Sequence, residues 1–236
     1  MAGRRPETCN GEPVPYDEPV ESLRALARTP GPKAWAAIRA LGEHPGPEAL
    51  AILIELTRSP DPHLRRSAVE AIGGHLSGRD AADRVLEMLQ DREGFVVRSA
   101  CDAAAVLGLP ATHDRIKALI EAEEEGTRYA ALEALESLWE PSDFEEVFAQ
   151  YRHDACDRVR KRAAWTLAAR VGPEHWERAF EAWSRDPLPR HRAWACSLIE
   201  KFGDRSSLMR LDALRSDSDG HVRGAARRAA CALDES

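Results

Sequence analysis

A segment of about eleven residues recurs along the chain every 31 or 32 residues, and this regularity constrains the fold more than any other feature. The copies begin at positions 33, 64, 96, 127, 159, 191 and 222, and include LRRSAVEAIGG from Leu64 and VRKRAAWTLAA from Val159. The fifth residue is alanine in every copy, and the eighth is small in five of them. Motif positions 1, 5, 8, 9 and 12 share one helix face. Each copy therefore predicts a helix with one buried stripe, at whose centre alanine lets neighbouring helices approach closely.

A further amphipathic segment lies between successive copies, at residues 47–59, 80–91, 113–125, 142–154, 173–186 and 205–217. Pro47 and Pro173 fit the first position of a helix, and Ser142 with Glu145 fits a capping box. Aspartates stand five residues before four of the copies, where a turn needs a side chain that accepts hydrogen bonds from free N–H groups. They are Asp91, Asp154, Asp186 and Asp217. The predicted unit is thus a first helix, a short turn and a second helix, repeated seven times.

Composition supports an all-α protein, because alanine dominates the apolar residues and aromatic residues make up only 6%. Such a core suits closely packed helices and disfavours a β-sandwich. The chain has no run of about 20 apolar residues that would span a membrane, and its start has no apolar segment of the kind found in signal peptides. Five cysteines without a CxxC spacing disfavour a disulfide framework or a zinc site. We expect a cytoplasmic monomer with a flexible tail at residues 1–17 and a single repeat domain at residues 18–236.

The net charge of −7 conceals an asymmetry between the two ends of the chain. Residues 1–151 carry 16 basic and 27 acidic side chains, a net of −11, whereas residues 152–236 carry 17 and 13, a net of +4. The two ends therefore present opposite electrostatic fields to a partner.

The period, the Asp-bearing turn and a second helix of the form V-R-x-x-A-x-x-A-L-G resemble HEAT repeats, in particular the short type named after phycobilisome lyases. The resemblance covers residues 18–234, nearly the whole chain. It implies an all-α fold, an α-solenoid of about seven HEAT-like helix-turn-helix repeats in which stacking neighbours form one continuous core. HEAT-like solenoids serve mostly as binding scaffolds and in a few cases as enzymes, so the fold alone does not choose a function.

In HEAT-like solenoids the second helices line the concave face, and the resemblance implies that a partner binds there. Aromatic residues and arginine are enriched at binding hot spots. The predicted partner-binding residues are Trp35, Arg66, Arg98, Tyr129, Lys161, Trp165, Trp194 and Arg228. An alternative for Trp165 and Trp194 is that they only cover gaps between helices.

The arginine that recurs at motif position two has two interpretations. It could form a ladder of phosphate-binding side chains, or it could pair with the turn aspartates and helix ends of its own or the adjoining repeat. We expect the pairing, because a residue present in most repeats usually maintains the repeat. The residues are Arg65, Arg128, Arg160, Arg192 and Arg223.

HEAT-like proteins include three enzymatic branches besides the binding scaffolds. Iron-dependent deoxyhypusine hydroxylases use His-Glu dipeptides, and this sequence contains none. Alkylpurine DNA glycosylases need a strongly basic groove, whereas this chain has a pI near 5.7. The repeats are of the type found in bilin lyase subunits, but no lyase-specific segment is recognised outside the repeats. We predict a non-catalytic scaffold or adaptor that binds a protein or peptide, with no nucleic acid, metal or cofactor. The bilin lyase-type subunit and the glycosylase-like DNA-binding protein remain the alternatives.

Overall fold

The computed structural model describes residues 19–28 and 31–234, and this part of the chain forms fourteen α-helices and no strand. The helices alternate between a first and a second helix, so the predicted sevenfold unit is confirmed. The first helices are α1 Val20–Ala27, α3 Pro47–Leu56, α5 Ala82–Met88, α7 His113–Leu119, α9 Phe144–His153, α11 Trp176–Trp183 and α13 Asp212–Arg215. The second helices are α2 Pro32–Glu43, α4 Pro62–Gly74, α6 Gly94–Leu107, α8 Glu125–Leu138, α10 Asp157–Arg170, α12 Pro189–Phe202 and α14 Gly220–Asp234. The predicted tail at residues 1–17 lies outside the described residues.

The chain divides into two compact units, Met1–Trp139 and Glu140–Ser236. In the first unit α2, α4, α6 and α8 pack side by side in chain order, and each also contacts the first helix of its own repeat. In the second unit α9 packs on α10, α11 on α12 and α13 on α14, while α12 also packs on α14. Each unit is therefore a row of helical hairpins, as the solenoid fold requires.

Alanine at motif position five forms the tightest part of this packing. All seven of these side chains have no measurable exposure to solvent: Ala37, Ala68, Ala100, Ala131, Ala163, Ala195 and Ala226. A methyl group fills the space between two second helices without separating them, whereas a longer side chain would have to displace a neighbouring backbone. The repeat phase inferred from the sequence is confirmed.

Two glycines of the first unit lie where successive second helices approach each other closely. A Cβ atom on Gly42 would lie 3.0 Å from the Cβ of Ala71, and one on Gly73 would lie 3.1 Å from the Cα of Ala103. Gly42 and Gly73 occupy motif position ten, and their neighbours occupy position eight of the following repeat. The missing side chain is what allows this approach between helices.

Several first helices are shorter than the sequence predicts, because a turn of 3-10 helix replaces the first α-helical turn. Such turns span Gly78–Ala81 before α5 and Arg205–Leu211 before α13. The helix predicted from Pro173 begins at Trp176 instead. Asp204 caps the turn before α13 by accepting from the N–H of Ser206. A 3-10 turn lets the chain tighten where it enters the repeat.

The capping box predicted for Ser142 and Glu145 is wrong by two residues. Glu140 and Asp143 form it instead: the Glu140 side chain accepts from the backbone N–H of Asp143, and the Asp143 carboxylate accepts from that of Glu140 at 2.9 Å. The box closes the 3-10 turn Pro141–Asp143 rather than α9 itself. Asp143 is fully buried, so its carboxylate belongs to the turn and not to the surface.

Two further sequence features can be placed. None of the helices in the described ranges combines the length and apolar character that a membrane crossing needs. The four cysteines in those ranges are free thiols. Cys101 and Cys196 are fully buried, and burial raises the pKa of the Cys101 thiol to about 12 and that of Cys196 to about 11. Both therefore behave as small apolar residues.

Candidate partner-binding surface

The turn aspartates bind the backbone of the turn in which they lie. Each accepts a hydrogen bond at Oδ1 from the N–H two residues further on, over 3.0 Å for Asp91, 2.7 Å for Asp154, 2.8 Å for Asp186 and 2.8 Å for Asp217. This contact satisfies a backbone donor that the helix itself leaves unpaired. The predicted role of these four residues is confirmed.

The arginine at motif position two joins successive repeats. Arg65 donates from Nε and Nη2 to both carboxylate oxygens of Asp91, at 2.7 and 2.8 Å, and Arg192 contacts Asp217 in the same way at 2.7 and 2.9 Å. Both pairs are largely buried. A forked contact of this kind fixes two side chains more tightly than a single hydrogen bond.

The same arginines also bind the turn that precedes their own helix. Arg65 donates from Nη1 to the carbonyls of Ser59 and Pro60, six and five residues before it. The other four arginines at motif position two likewise donate from Nη1 to the carbonyls six and five residues before them: Arg128, Arg160, Arg192 and Arg223. The pairing expectation is therefore confirmed, since these guanidinium groups are engaged within the solenoid rather than presented as a phosphate ladder.

A groove lies between α2 and α4 on the face formed by the second helices, which we call the second-helix face. Its volume is about 490 Å³, and its walls include Trp35, Arg39, Ser67 and Glu70. The Trp35 side chain is 47% exposed, an unusual exposure for a residue of its size. Of the predicted partner-binding residues, Trp35 is the one that borders this groove.

Arg66 and Arg98 occupy the same motif position as Trp35 in the next two repeats. Arg66 donates from Nε to Glu70 at 2.7 Å, and that carboxylate also accepts from the Ser99 hydroxyl at 2.9 Å. The sequence suggests that Arg98 pairs with Asp102, but its guanidinium contacts Glu124 of the following repeat. Tyr129, the fourth predicted residue of this unit, is half-buried on α8.

Carboxylates occupy motif position seven in three successive repeats of the first unit, at Glu70, Asp102 and Glu133. The pKa of Asp102 is raised above its ordinary value, first by partial burial and then by repulsion from Glu133 and Glu70, which together outweigh the attraction of nearby arginines. The excess of negative charge around Asp102 favours the binding of a cation there.

In the second unit two of the predicted residues, Trp165 and Trp194, belong to an aromatic cluster. Trp165 on α10 is 48% exposed and meets the ring of Trp194 on α12 edge-on, with centroids 5.8 Å apart. Trp194 is half-buried and stacks on His191. Lys161 lies one turn before Trp165 and pairs with Asp157, and Arg228 is exposed on α14. The structure therefore brings Trp165 and Trp194 together and leaves the Trp165 ring accessible.

A buried polar cluster in the second unit was not predicted. The Tyr151 hydroxyl donates to Asp186 at 2.5 Å, and His191 Nδ1 lies 3.0 Å from the same oxygen, at ion-pair distance but off the direction of a hydrogen bond. Burial raises the pKa of Asp186, but the contacts with His191, Tyr151 and the Leu188 N–H outweigh it and hold the pKa below its ordinary value. One signal was available, namely a histidine at motif position one, where most copies have an apolar residue.

Within residues 19–28 and 31–234 no group of three or more His, Cys, Asp and Glu side chains is arranged to hold a metal ion.

Comparison with known proteins identifies the repeat. The sequence profile described as HEAT repeats matches residues 20–107 and 144–231. No curated protein sequence matches the chain significantly.

Solved structures with similar folds are distant in sequence. An engineered protein is 16% identical with a TM-score of 0.60, covering 91% of this chain and 68% of the other. Importin beta is 14% identical with a TM-score of 0.59, covering 89% and 35%. The CpcE–CpcF complex of phycocyanin lyase from Nostoc sp. PCC7120 is 19% identical with a TM-score of 0.45, covering 92% and 81%.

The likenesses to the engineered protein and to importin beta show an armadillo- or HEAT-type solenoid and leave the function open. The profile match extends over well more than half of the sequence, and its two regions contain helices of both structural units. The chain therefore belongs to the HEAT-repeat family.

Proposed function

We propose that this protein is a non-catalytic scaffold that binds a protein or peptide segment on the second-helix face. The observation that carries the proposal is the half-exposed Trp35 beside a groove of about 490 Å³. A large aromatic ring kept partly in water next to a cavity is an arrangement typical of a binding hot spot.

The groove suits an extended segment because its floor is narrow and its walls contain both apolar and polar side chains. Gly42 and Ala71 bring α2 and α4 close together at the base. Trp35 provides an apolar surface, while Arg39 and Glu70 provide one donor group and one acceptor group. An extended chain has unpaired N–H and C=O groups along its length, and both kinds find a counterpart here.

The charge of the face favours a basic partner. Glu70, Asp102 and Glu133 lie on neighbouring second helices, which pack about 8–10 Å apart in helical proteins. A peptide in the extended polyproline II conformation advances about 3.1 Å per residue with three residues per turn, so a Lys or Arg at every third residue would lie on one side, at a spacing that matches the carboxylates. Such a cation beside Asp102 would relieve the repulsion that raises the pKa of that carboxyl.

The contacts that the recurring polar residues make within the solenoid support the non-catalytic part of the proposal. The arginines at motif position two bind the turns that precede their helices, and Arg65 and Arg192 also bind the turn aspartates of the next repeat. These groups hold the repeats in register, and that role accounts for their presence.

Quantitative pull-down with mass spectrometry tests the proposal. The full-length chain, its Trp35→Ala variant and a Leu76→Ala variant are used as baits on the same cell extract. Leu76 is 85% exposed and does not line the groove. The Leu76→Ala variant is therefore a matched control that also loses exposed apolar surface, but away from the groove. We expect at least one protein to bind the parent and Leu76→Ala equally and to be depleted about tenfold by Trp35→Ala.

The partner segment is then synthesised and its affinity measured by fluorescence polarisation with the Glu70→Gln variant included. Weaker binding to Glu70→Gln, with a steeper loss at high salt for the parent, supports recognition of a basic segment. Equal capture by all three baits would overturn the groove as the binding site.

A further inference from the structure

The two units differ in the side chains at motif position seven, a position that is exposed in all seven repeats. In the first unit it holds carboxylates in three successive repeats, whereas in the Glu140–Ser236 unit it holds Trp165, Ser197 and Arg228. The second helices of this unit are α10, α12 and α14. The row that is acidic in the first unit is therefore aromatic, neutral and basic in the second.

Basic residues predominate among the charged side chains of these three helices. Together α10, α12 and α14 contain eleven lysines and arginines and three aspartates and glutamates. Three of the arginines bind the turns that precede their helices, and eight basic residues remain. Lys201 and Arg228 are exposed, and within residues 19–28 and 31–234 neither has a carboxylate at ion-pair distance. This face therefore carries positive charge that the described part of the chain does not neutralise.

A groove of about 120 Å³ opens between α10 and α12, next to this row. Its wall on α12 uses the same motif positions as the wall that α4 gives to the Trp35 groove. Ser197 stands where Glu70 lines the first groove, and Lys201 stands where Gly74 does. A hydroxyl thus replaces the carboxylate of the first groove, and a cation is added.

Trp194 gives this groove its aromatic wall. It stands at motif position four, where five of the other repeats have alanine or serine. Because a tryptophan takes more space there, α12 packs closely on α14 but only loosely on α10. The exposed Trp165 ring meets Trp194 edge-on, so the aromatic surface continues from the groove to the outside of α10.

We propose that the surface formed by Trp165, Ser197, Lys201 and Arg228, which we call the Trp165 surface, binds an acidic protein segment that carries a large apolar side chain. The apolar side chain would pack on the exposed Trp165 ring. Asp or Glu side chains next to it would pair with Lys201 and Arg228. The inference rests on the proposed scaffold role, but it uses a different groove and a partner segment of the opposite charge.

Carboxylates among the cations favour an acidic peptide over a nucleic acid. Asp157 pairs with Lys161 one turn before Trp165, and Glu200 is exposed beside Lys201 in the chain. A nucleic acid carries a charge at every nucleotide and would bring phosphates close to these carboxylates. A peptide can place its acidic residues only where a cation is available.

Three fluorescein-labelled peptides test the proposal by fluorescence polarisation with the full-length chain. The first consists of four Glu-Glu-Phe triplets, the second replaces each Phe with Ser, and the third replaces each Glu with Lys. We expect the Glu-Glu-Phe peptide to bind, and the Glu-Glu-Ser peptide to bind about tenfold more weakly because it lacks the apolar anchor. The affinity of the Lys-Lys-Phe peptide should not change when Trp165 is replaced.

Variants place the peptide on the Trp165 surface. Trp165→Ala should weaken the Glu-Glu-Phe peptide about tenfold, and Lys201→Gln and Arg228→Gln about threefold each, with a smaller effect at high salt. Two variants are matched controls that should leave the affinity unchanged. Trp35→Ala removes an exposed tryptophan from the other unit, and Arg185→Gln removes an exposed cation from the turn after α11.

The parent protein decides the matter even where a variant fails to fold. No measurable binding of the Glu-Glu-Phe peptide, or equal binding of the Glu-Glu-Phe and Glu-Glu-Ser peptides, overturns the proposal. Equal weakening by Trp35→Ala and Trp165→Ala also overturns it, because the peptide would then not distinguish the two grooves.

A labelled oligothymidine covers the remaining class of ligand. If it binds more tightly than the Glu-Glu-Phe peptide and loses affinity in Trp165→Ala, the surface belongs to single-stranded nucleic acid and the proposal is overturned. None of these results bears on the pull-down with Trp35→Ala, so the two proposals fail separately.

Discussion

The Arg192 guanidinium holds both carboxylate oxygens of Asp217, twenty-five residues further along the chain, at 2.7 and 2.9 Å. The sequence shows a rule behind this contact. Wherever arginine stands at motif position two, the next repeat has aspartate in its turn, and where the arginine is missing the aspartate is missing too. Val97 and Ala122 illustrate the second case. The structure shows the forked contact for Arg65 with Asp91 and for Arg192 with Asp217, in each case between one repeat and the next.

Breaking one of these contacts should destabilise the fold more than breaking a surface pair. We expect Arg192→Met to lower the free energy of unfolding by about 1.5–3 kcal/mol, because Asp217 would be left largely buried without its cation. Arg66→Met, which removes the exposed pair with Glu70, should cost about 1 kcal/mol or less. Urea denaturation followed by circular dichroism measures both, and equal losses would contradict the difference in burial.

The Asp217 contact also predicts a pH dependence. Hydrogen bonds from Arg192 hold the pKa of Asp217 at about 2, below the ordinary aspartate value of 3.8. A carboxyl whose pKa is lowered by folding stabilises the native state above its unfolded pKa and loses that contribution as the pH falls toward its folded pKa. The stability difference between the parent and Asp217→Asn should therefore be constant from pH 7 to about pH 5 and shrink between pH 4 and pH 2. A difference that does not change over the lower range would be inconsistent with the lowered pKa.

Enlarging an alanine at motif position five should overpack two helices. Ala163→Leu is expected to destabilise the protein by about 1–3 kcal/mol, because the residue has no exposure and a neighbouring backbone must move. Ala169→Leu on the same helix is the matched control, since Ala169 is exposed. Thermal melting of both variants checks the prediction, and identical melting temperatures would mean that the alanine is not a packing constraint.

Two glycines near the end of α4 differ in the space around them. A Cβ atom on Gly78 would lie 2.2 Å from the carbonyl oxygen of Ile72, whereas one on Gly74 would meet nothing within 4 Å. Gly78→Ala should therefore lower the melting temperature, since the backbone has to shift. Gly74→Ala should leave it unchanged or raise it slightly, because alanine favours the helix. The order of the two melting temperatures is the measurement, and the reverse order would contradict this account.

Features repeated in the sequence could be predicted, because each copy is independent evidence for the same contact. The helix pairs, the buried alanines and the turn role of Asp91 follow from the period alone. The contact among Tyr151, Asp186 and His191 could not be predicted in this way, since Tyr151 lies in a first helix thirty-five residues before Asp186 and occurs in one repeat only.

Local helix starts were also missed, because 3-10 turns depend on how the chain enters each repeat rather than on the repeat itself. Of the residues that line the groove, the sequence predicted only Trp35, as a partner-binding residue on the face of the second helices. Its depth depends on Gly42 and Ala71, two small residues on different helices, whose proximity becomes visible only in three dimensions.

The sharing of each arginine–aspartate contact between neighbours limits how such a chain can gain or lose repeats during evolution. Deletion of residues 34–64, one period, would keep Arg65 and Asp91 in consecutive repeats. Deletion of residues 66–97 would instead place Arg65 opposite Ala122 and leave a guanidinium without its carboxylate. The unit that recombination can exchange safely is therefore not the helical hairpin, but a segment whose borders never separate an arginine from the aspartate that follows it.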